Sequence, residues 1–115
     1  MTLREKQALF AFHVAGLIRR IFESGKSCTF GETYRFPHQA AANAVSGIGI
    51  KNSLHCDRLA IDLNLFDSAG KYLTSTEAHR EFGEWWERQH PLARWGGRFA
   101  KPDGNHYSFE HQGRK

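Results

Sequence analysis

One segment of the chain combines a histidine with an aspartate inside an apolar run. His55 and Asp62 stand seven positions apart, and Leu59, Ile61 and Leu63 surround the aspartate. An ionised carboxylate among apolar side chains is unfavourable unless it has a partner. A metal ion shared with His55 would be such a partner, because imidazole nitrogen and carboxylate oxygen both bind zinc. The alternative is purely structural, with His55 in a capped turn and Asp62 in a hydrogen bond.

A catalytic zinc site needs a third protein ligand and keeps one position open for water. His106 is the best candidate, because it begins a predicted strand directly after a turn. Asp103, three residues earlier, could act as general base and then as general acid. A bend near Asp57 would have to bring His55 back toward the strand that carries Asp62. Three further residues are weaker alternative ligands: His38, Cys56 and His111.

Three motifs in order resemble the M15 family of zinc peptidases. They are Ser53-x-His55-x(6)-Asp62, a Trp-Gly-Gly loop beginning at Trp95, and Asp103-x-x-His106. The family groups D-alanyl-D-alanine carboxypeptidases and dipeptidases with bacteriophage L-alanyl-D-glutamate endopeptidases. The resemblance covers roughly residues 28 to 109, and the segment from Ser53 to Phe66 is most similar to the phage endolysin branch.

The resemblance implies a role for each matching residue. His55, Asp62 and His106 would bind zinc, and Asp103 would be the catalytic acid and base. The segment Glu32–Gln39 is similar to the arginine motif of the family. By that match Arg35 would stabilise the oxyanion that forms at the scissile carbonyl. The resemblance also implies three substrate-binding residues, with Ser53 supporting the site and Trp95 lining the cleft: Gln39, Ser53 and Trp95.

The sequence departs from the family at several positions. Many relatives have glycine where Arg58 stands, and many have Phe-Glu where Tyr107 and Ser108 follow the last ligand. Arg98 follows the Trp-Gly-Gly loop, where an acidic residue is common. These departures affect substrate preference more than metal binding.

The pattern of the chain predicts one α+β domain over residues 1–115. We expect a small, mainly antiparallel sheet with two long helices and one short helix, and a zinc site on the sheet face. The predicted helices are Thr2–Glu23, Pro37–Asn43 and Thr76 to about Gln89. The predicted strands are Ser27–Arg35, the second half of Leu54–Phe66, Lys71–Leu73 and His106–Phe109. Ser46–Gly49 is predicted to be a loop, Glu110–Lys115 a frayed tail, and His79 and His90 solvated.

Composition and charge limit the partners. The formal net charge is +4, and the basic residues are spread over the chain rather than clustered. Such a protein would be attracted to anionic murein, so we expect the murein stem peptide as substrate and Zn²⁺ as cofactor. We expect a monomer with no nucleic-acid or membrane partner. A basic nucleic-acid-binding module is the rival from another class, and a family member that binds murein without cutting it is a third hypothesis.

The N-terminal segment lacks the apolar core of a signal peptide, because His13, Arg19 and Arg20 interrupt it. We therefore expect synthesis in the host cytoplasm and release to the cell wall through a holin. Among the peptidase activities, we expect cleavage of the L-Ala-D-Glu bond by a phage-type endolysin. A D-Ala-D-Ala carboxypeptidase is the second hypothesis. The two cysteines, Cys28 and Cys56, are expected to be free thiols.

Overall fold

A computed structural model describes residues 1–45 and 53–115 and has the predicted α+β architecture. The helices in these residues are α1 (Leu3–Glu23), α2 (Pro37–Val45) and α3 (Thr76–Glu87). The strands are β1 (Ser27–Phe30), β2 (Ala60–Phe66), β3 (Tyr72–Leu73), β4 (Ala93–Trp95) and β5 (His106–Phe109). Two short 3-10 turns cover Leu54–Asp57 and Gly96–Arg98. The predicted loop Ser46–Gly49 lies outside the described residues.

Helix α1 begins with a capping box formed by Thr2 and Glu5. The Thr2 hydroxyl accepts a hydrogen bond from the backbone N–H of Glu5 at 3.1 Å, and the Glu5 carboxylate accepts one from the backbone N–H of Thr2 at 2.8 Å. These two bonds satisfy donors that the first helical turn would otherwise leave free. One face of the helix is buried in the core, as its apolar spacing requires: Phe10, Val14, Leu17 and Ile21.

The sheet is antiparallel throughout, with strand order β1-β2-β5-β4 and with β3 paired to the end of β2. Burial alternates along strand β2: Ile61, Leu63 and Leu65 are buried, while Asp62 and Asn64 are only half-buried. Side chains of a strand point alternately to its two faces. The fully buried residues therefore belong to the core, and Asp62 points to the opposite face.

Helix α3 contributes Phe82 and Trp86 to the core, and the Trp86 indole donates to the backbone oxygens of Arg94 and Ser108. The expectation that His79 is solvated is wrong. Its side chain is buried, and its Nδ1 lies 2.8 Å from the hydroxyl of Tyr107. His90 is half-buried rather than solvated, because its ring stacks on Phe109 and its Nδ1 accepts from the Leu92 N–H.

The buried imidazole of His79 predicts a loss of stability in mild acid. Burial lowers the pKa of His79 from 6.5 to about 4. The unfolded chain binds this proton more readily than the folded protein does. The contribution of neutral His79 to the free energy of unfolding is therefore full above pH 6.5 and decreases as the pH falls toward 4. At about 1.4 kcal/mol per pH unit, we expect a loss of about 3 kcal/mol over this window.

Urea unfolding of the metal-free protein between pH 4 and 7 would measure this loss. His79→Asn keeps a polar partner for Tyr107 without a titrating group, so its unfolding free energy should vary less over the same window. His38→Asn, at an exposed histidine, should behave like the parent protein. An unchanged pH profile in His79→Asn would contradict the assignment.

The C-terminal segment is docked, which corrects the prediction of a frayed tail. Glu110 pairs with Arg94 at 3.3 Å, and His111 Nδ1 lies 2.9 Å from the Lys6 ammonium. Arg114 forms a 2.6 Å ion pair with Asp57, which follows His55 closely in sequence. These partners are distant in sequence, so the local polarity of the tail could not reveal them. Among the described residues, no helix combines the length and apolar character needed to cross a membrane.

Candidate metal centre

The pairing of β2 with β5 places two of the predicted ligands side by side. Asp62 and His106 are directly opposite each other in the antiparallel register. Opposite residues of such a pair share one face of the sheet and have neighbouring side chains. The Asp62 Oδ1 and His106 Nδ1 atoms are accordingly 3.4 Å apart.

The third predicted ligand comes from the 3-10 turn before β2. The Ser53 hydroxyl caps this turn by accepting from the backbone N–H of His55 at 3.1 Å. The turn ends at Arg58, which has a left-handed backbone with φ 55° and ψ 37°. This reversal directs His55 back toward the strand, and His55 Nε2 lies 3.4 Å from Asp62 Oδ1.

The conformation of Arg58 explains a departure noted in the sequence. Glycine adopts this left-handed region without the steric cost that arginine bears. Here the Arg58 guanidinium lies over the Tyr34 ring at 4.1 Å from its centroid. This cation–π contact offsets part of the backbone cost.

The donor set fits a divalent cation. His55, Asp62 and His106 each offer one ligand atom, and these atoms all lie within 4.8 Å of one another. Within the described part of the chain, this is the one such group of three histidine, cysteine or acidic residues. Asp62 Oδ1 is buried without a hydrogen-bond partner, and it faces His55 Nε2 and His106 Nδ1, each 3.4 Å away. Nitrogen and carboxylate donors with one open position are typical of catalytic zinc.

The charge state of Asp62 also suits a cation. Burial alone would raise the pKa of its carboxyl, but polar contacts with His106 and His55 outweigh that effect and lower the pKa to about 2. The carboxylate is therefore ionised at neutral pH, while its inner oxygen has no regular hydrogen bond. A buried anion in this state is stabilised by a metal ion.

Asp103 lies in the turn directly before His106. Its backbone N–H donates to the Gly96 carbonyl at 2.9 Å, and its own carbonyl accepts from the N–H of His106 at 3.1 Å. Partial burial of the carboxyl and the negative charge of Asp62 raise the pKa of Asp103 above its ordinary value. A carboxyl with a raised pKa accepts a proton more readily at neutral pH.

Trp95 is not on the wall of a cleft, where the resemblance had placed it. Its side chain is 1% exposed, and its indole N–H donates to the Gly104 carbonyl at 2.7 Å. The ring lies against Gly83 and Gly97, whose missing side chains leave room for it. Trp95 therefore fixes the turn that carries Asp103 and His106, and Ser53 likewise fixes the turn that carries His55.

Arg35 lies beside the triad, while Gln39 is exposed on α2. The Arg35 backbone N–H donates to the His55 carbonyl at 3.3 Å, and its side chain is 14% exposed. The guanidinium pairs with Glu32, a residue without a predicted role. Glu32 stands three positions before Arg35 in a segment that is neither helix nor strand, so the spacing alone does not indicate the pair. Its Oε1 lies 3.6 Å from His55 Nε2.

Gly96 allows the turn around Asp103 to approach closely. A Cβ at this position would lie 2.1 Å from the Asp103 carbonyl oxygen and 2.8 Å from the His106 Cβ. We expect Gly96→Ala to destabilise the protein by about 1–3 kcal/mol, because overpacking forces backbone shifts. We also expect weaker zinc binding, since the shift moves His106.

Thermal unfolding in a chelator and zinc titration would measure the two effects of Gly96→Ala. Gly16→Ala is the control, because there the added methyl group meets only the Trp85 ring edge at 3.3 Å within a helix. It should change stability by less than about 1 kcal/mol and leave zinc affinity unaltered. Equal behaviour of the two variants would contradict the role given to Gly96.

No protein-family model and no curated protein matches the chain by sequence. Among solved structures, it is similar to the L-Ala D-Glu endopeptidase ChiX of Serratia marcescens, with a TM-score of 0.63. The match has 18% sequence identity and covers 73% of this chain and 67% of that chain. The two proteins therefore share a fold.

Proposed function

We propose that this chain is a zinc metallopeptidase that hydrolyses a peptide bond of the murein stem. The observation that carries the proposal is the cluster of His55, Asp62 and His106 around an ionised carboxylate oxygen without a hydrogen-bond partner. The fold likeness to an L-Ala D-Glu endopeptidase supports the substrate class. The bond we propose is the one between L-Ala and D-Glu, cut by a monomeric, phage-type endolysin that reaches the wall through a holin.

The proposed chemistry divides among three groups: zinc with its ligands, Asp103 and Arg35. Zinc, when bound by His55, Asp62 and His106, supplies Lewis-acid activation of water and of the scissile carbonyl. Asp103 takes the proton of the attacking water and returns it to the departing amine. Its raised pKa suits both transfers, because the protonated form is easier to reach near neutral pH.

Arg35 provides the permanent positive charge of the site. Its low exposure makes that charge more effective than it would be in bulk water. We propose that it stabilises the oxyanion that develops on the scissile carbonyl. The free energy of the transition state then depends on where the guanidinium is held.

The distribution of charge does not favour the nucleic-acid rival. Six arginines form ion pairs with carboxylates in the described residues: Arg19, Arg35, Arg80, Arg94, Arg98 and Arg114. Their charge is largely balanced locally, whereas a nucleic-acid surface needs basic side chains free to neutralise phosphates.

Digestion of purified murein by the zinc-loaded protein would test the proposal. Mass analysis should show a new carboxyl end on L-Ala and a new amino end on D-Glu. Release of free D-Ala would instead identify a carboxypeptidase. If zinc is bound and no peptide bond is cut, the peptidase function is wrong, and DNA binding that weakens steeply with salt would support the rival.

A further inference from the structure

A second carboxylate, that of Glu32, lies between the catalytic arginine and a metal-binding histidine. Its Oε1 pairs closely with the Arg35 guanidinium and lies 3.6 Å from His55 Nε2. The Glu32 side chain is about one-third exposed, whereas Arg35 and His55 are largely buried. Glu32 does not belong to the compact group of three ligand atoms, so its contacts point to a different task.

The backbone of Glu32 is fixed to the strand that carries Asp62. The Asp62 N–H donates to the Glu32 carbonyl, and the Gly31 N–H donates to the Asp62 carbonyl, both at 2.8 Å. Gly31 makes this approach feasible, since a Cβ there would lie 3.0 Å from the Asp62 carbonyl oxygen. The base of the Glu32 side chain therefore has a set position relative to the metal ligands.

Arg35 needs such an anchor. Its side chain has several rotatable bonds, and its Nε is buried without a hydrogen-bond partner. An unsatisfied buried donor is unfavourable, which favours movement of the guanidinium toward solvent. The ion pair with Glu32 opposes that movement, and it is partly shielded from water.

We propose that Glu32 is a positioning residue that holds the Arg35 guanidinium beside the metal triad. The inference rests on the proposed peptidase function and adds a second carboxylate with a role separate from that of Asp103. A small displacement of a group that stabilises the transition state lowers the rate strongly. The effect of Glu32 on catalysis should therefore pass through Arg35.

A double-mutant cycle tests whether the effect of Glu32 depends on Arg35. Cleavage of murein is measured with the zinc-loaded variants. Glu32→Ala should lower kcat by about 10- to 100-fold. In an Arg35→Ala background, the same change should alter kcat by less than about two-fold, since the residue it positions is gone. Zinc affinity, measured by competition with a chelator, should be the same in both variants and the parent protein.

Glu77→Gln is a matched control, because Glu77 and Arg80 form an ion pair with the same three-residue spacing on α3. It should leave kcat unaltered. Equal losses from Glu32→Ala with and without Arg35 would overturn the proposal. A fall in zinc affinity of ten-fold or more would also overturn the proposal. Residues that support metal ligands have effects of that size, so Glu32 would then be part of the metal site.

A measurement without turnover separates this inference from the peptidase function. In ¹⁵N NMR spectra, the Nε–H of Arg35 should exchange slowly with water in the parent protein and in Glu77→Gln, and quickly in Glu32→Ala. If the parent protein cuts no murein but shows this pattern, the function fails and the positioning role stands. Fast exchange in the parent protein overturns the positioning role whatever the activity.

Discussion

Replacing Asp62 by asparagine is expected to abolish zinc binding at stoichiometric concentrations and murein cleavage with it. The substitution keeps the size of the side chain but removes the anionic oxygen that lies 3.4 Å from both histidines. Loss of a supporting residue alone weakens metal sites by about 10- to 100-fold, so loss of a direct ligand should exceed that range. Metal analysis of the purified variant, together with a murein digestion assay, gives both readouts.

Asp57→Asn is the matched control for this experiment. Asp57 has a similar side-chain exposure, 28% against 21% for Asp62, and pairs with Arg114 instead of the triad. It should lose some stability but retain zinc and activity. If Asp62→Asn retained one zinc per chain, the zinc would have to bind elsewhere.

Asp103→Asn is expected to lower kcat by about 10²- to 10⁴-fold while leaving zinc affinity unaltered. An amide cannot take the proton of the attacking water, although it preserves the shape of the turn before His106. The backbone bonds of Asp103 to Gly96 and His106 do not involve the carboxyl, so the ligand should keep its place. Single-turnover cleavage of murein fragments would measure the chemical step.

Asp103→Glu is the conservative comparison, and it should retain a substantial part of the rate because it keeps a titrating carboxyl. Unchanged cleavage by Asp103→Asn would assign the proton transfer to another group. Glu32 would then be the next candidate, since its carboxylate also lies close to His55.

The parts of the fold that local pattern determines were predictable. The capping box at Thr2 and the apolar spacing of α1 located that helix. The alternation of β2 located the core face, and the turn before His106 located the last strand. In each case the deciding interactions lie within a few residues of one another.

Two of the failures have a non-local origin. Nothing local shows that Gly83 and Gly97 leave room for the ring of Trp95, which the resemblance implies to line the cleft. The backbone pairing of Glu32 with Asp62 joins distant segments and has no local signal. His79 was predictable, because it shares helical spacing with the buried residues Phe82 and Trp86.

The three side chains that could hold a metal ion belong to a 3-10 turn, a central strand and the last strand, and a long stretch of chain separates Asp62 from His106. A bound ion would join these segments as a cross-link does, and closing long loops in the unfolded chain carries a large entropic cost. Because the ligands converge only in the folded chain, the binding free energy adds directly to the folding free energy. Metal supply would then regulate how long the protein survives proteolysis as well as how fast it acts.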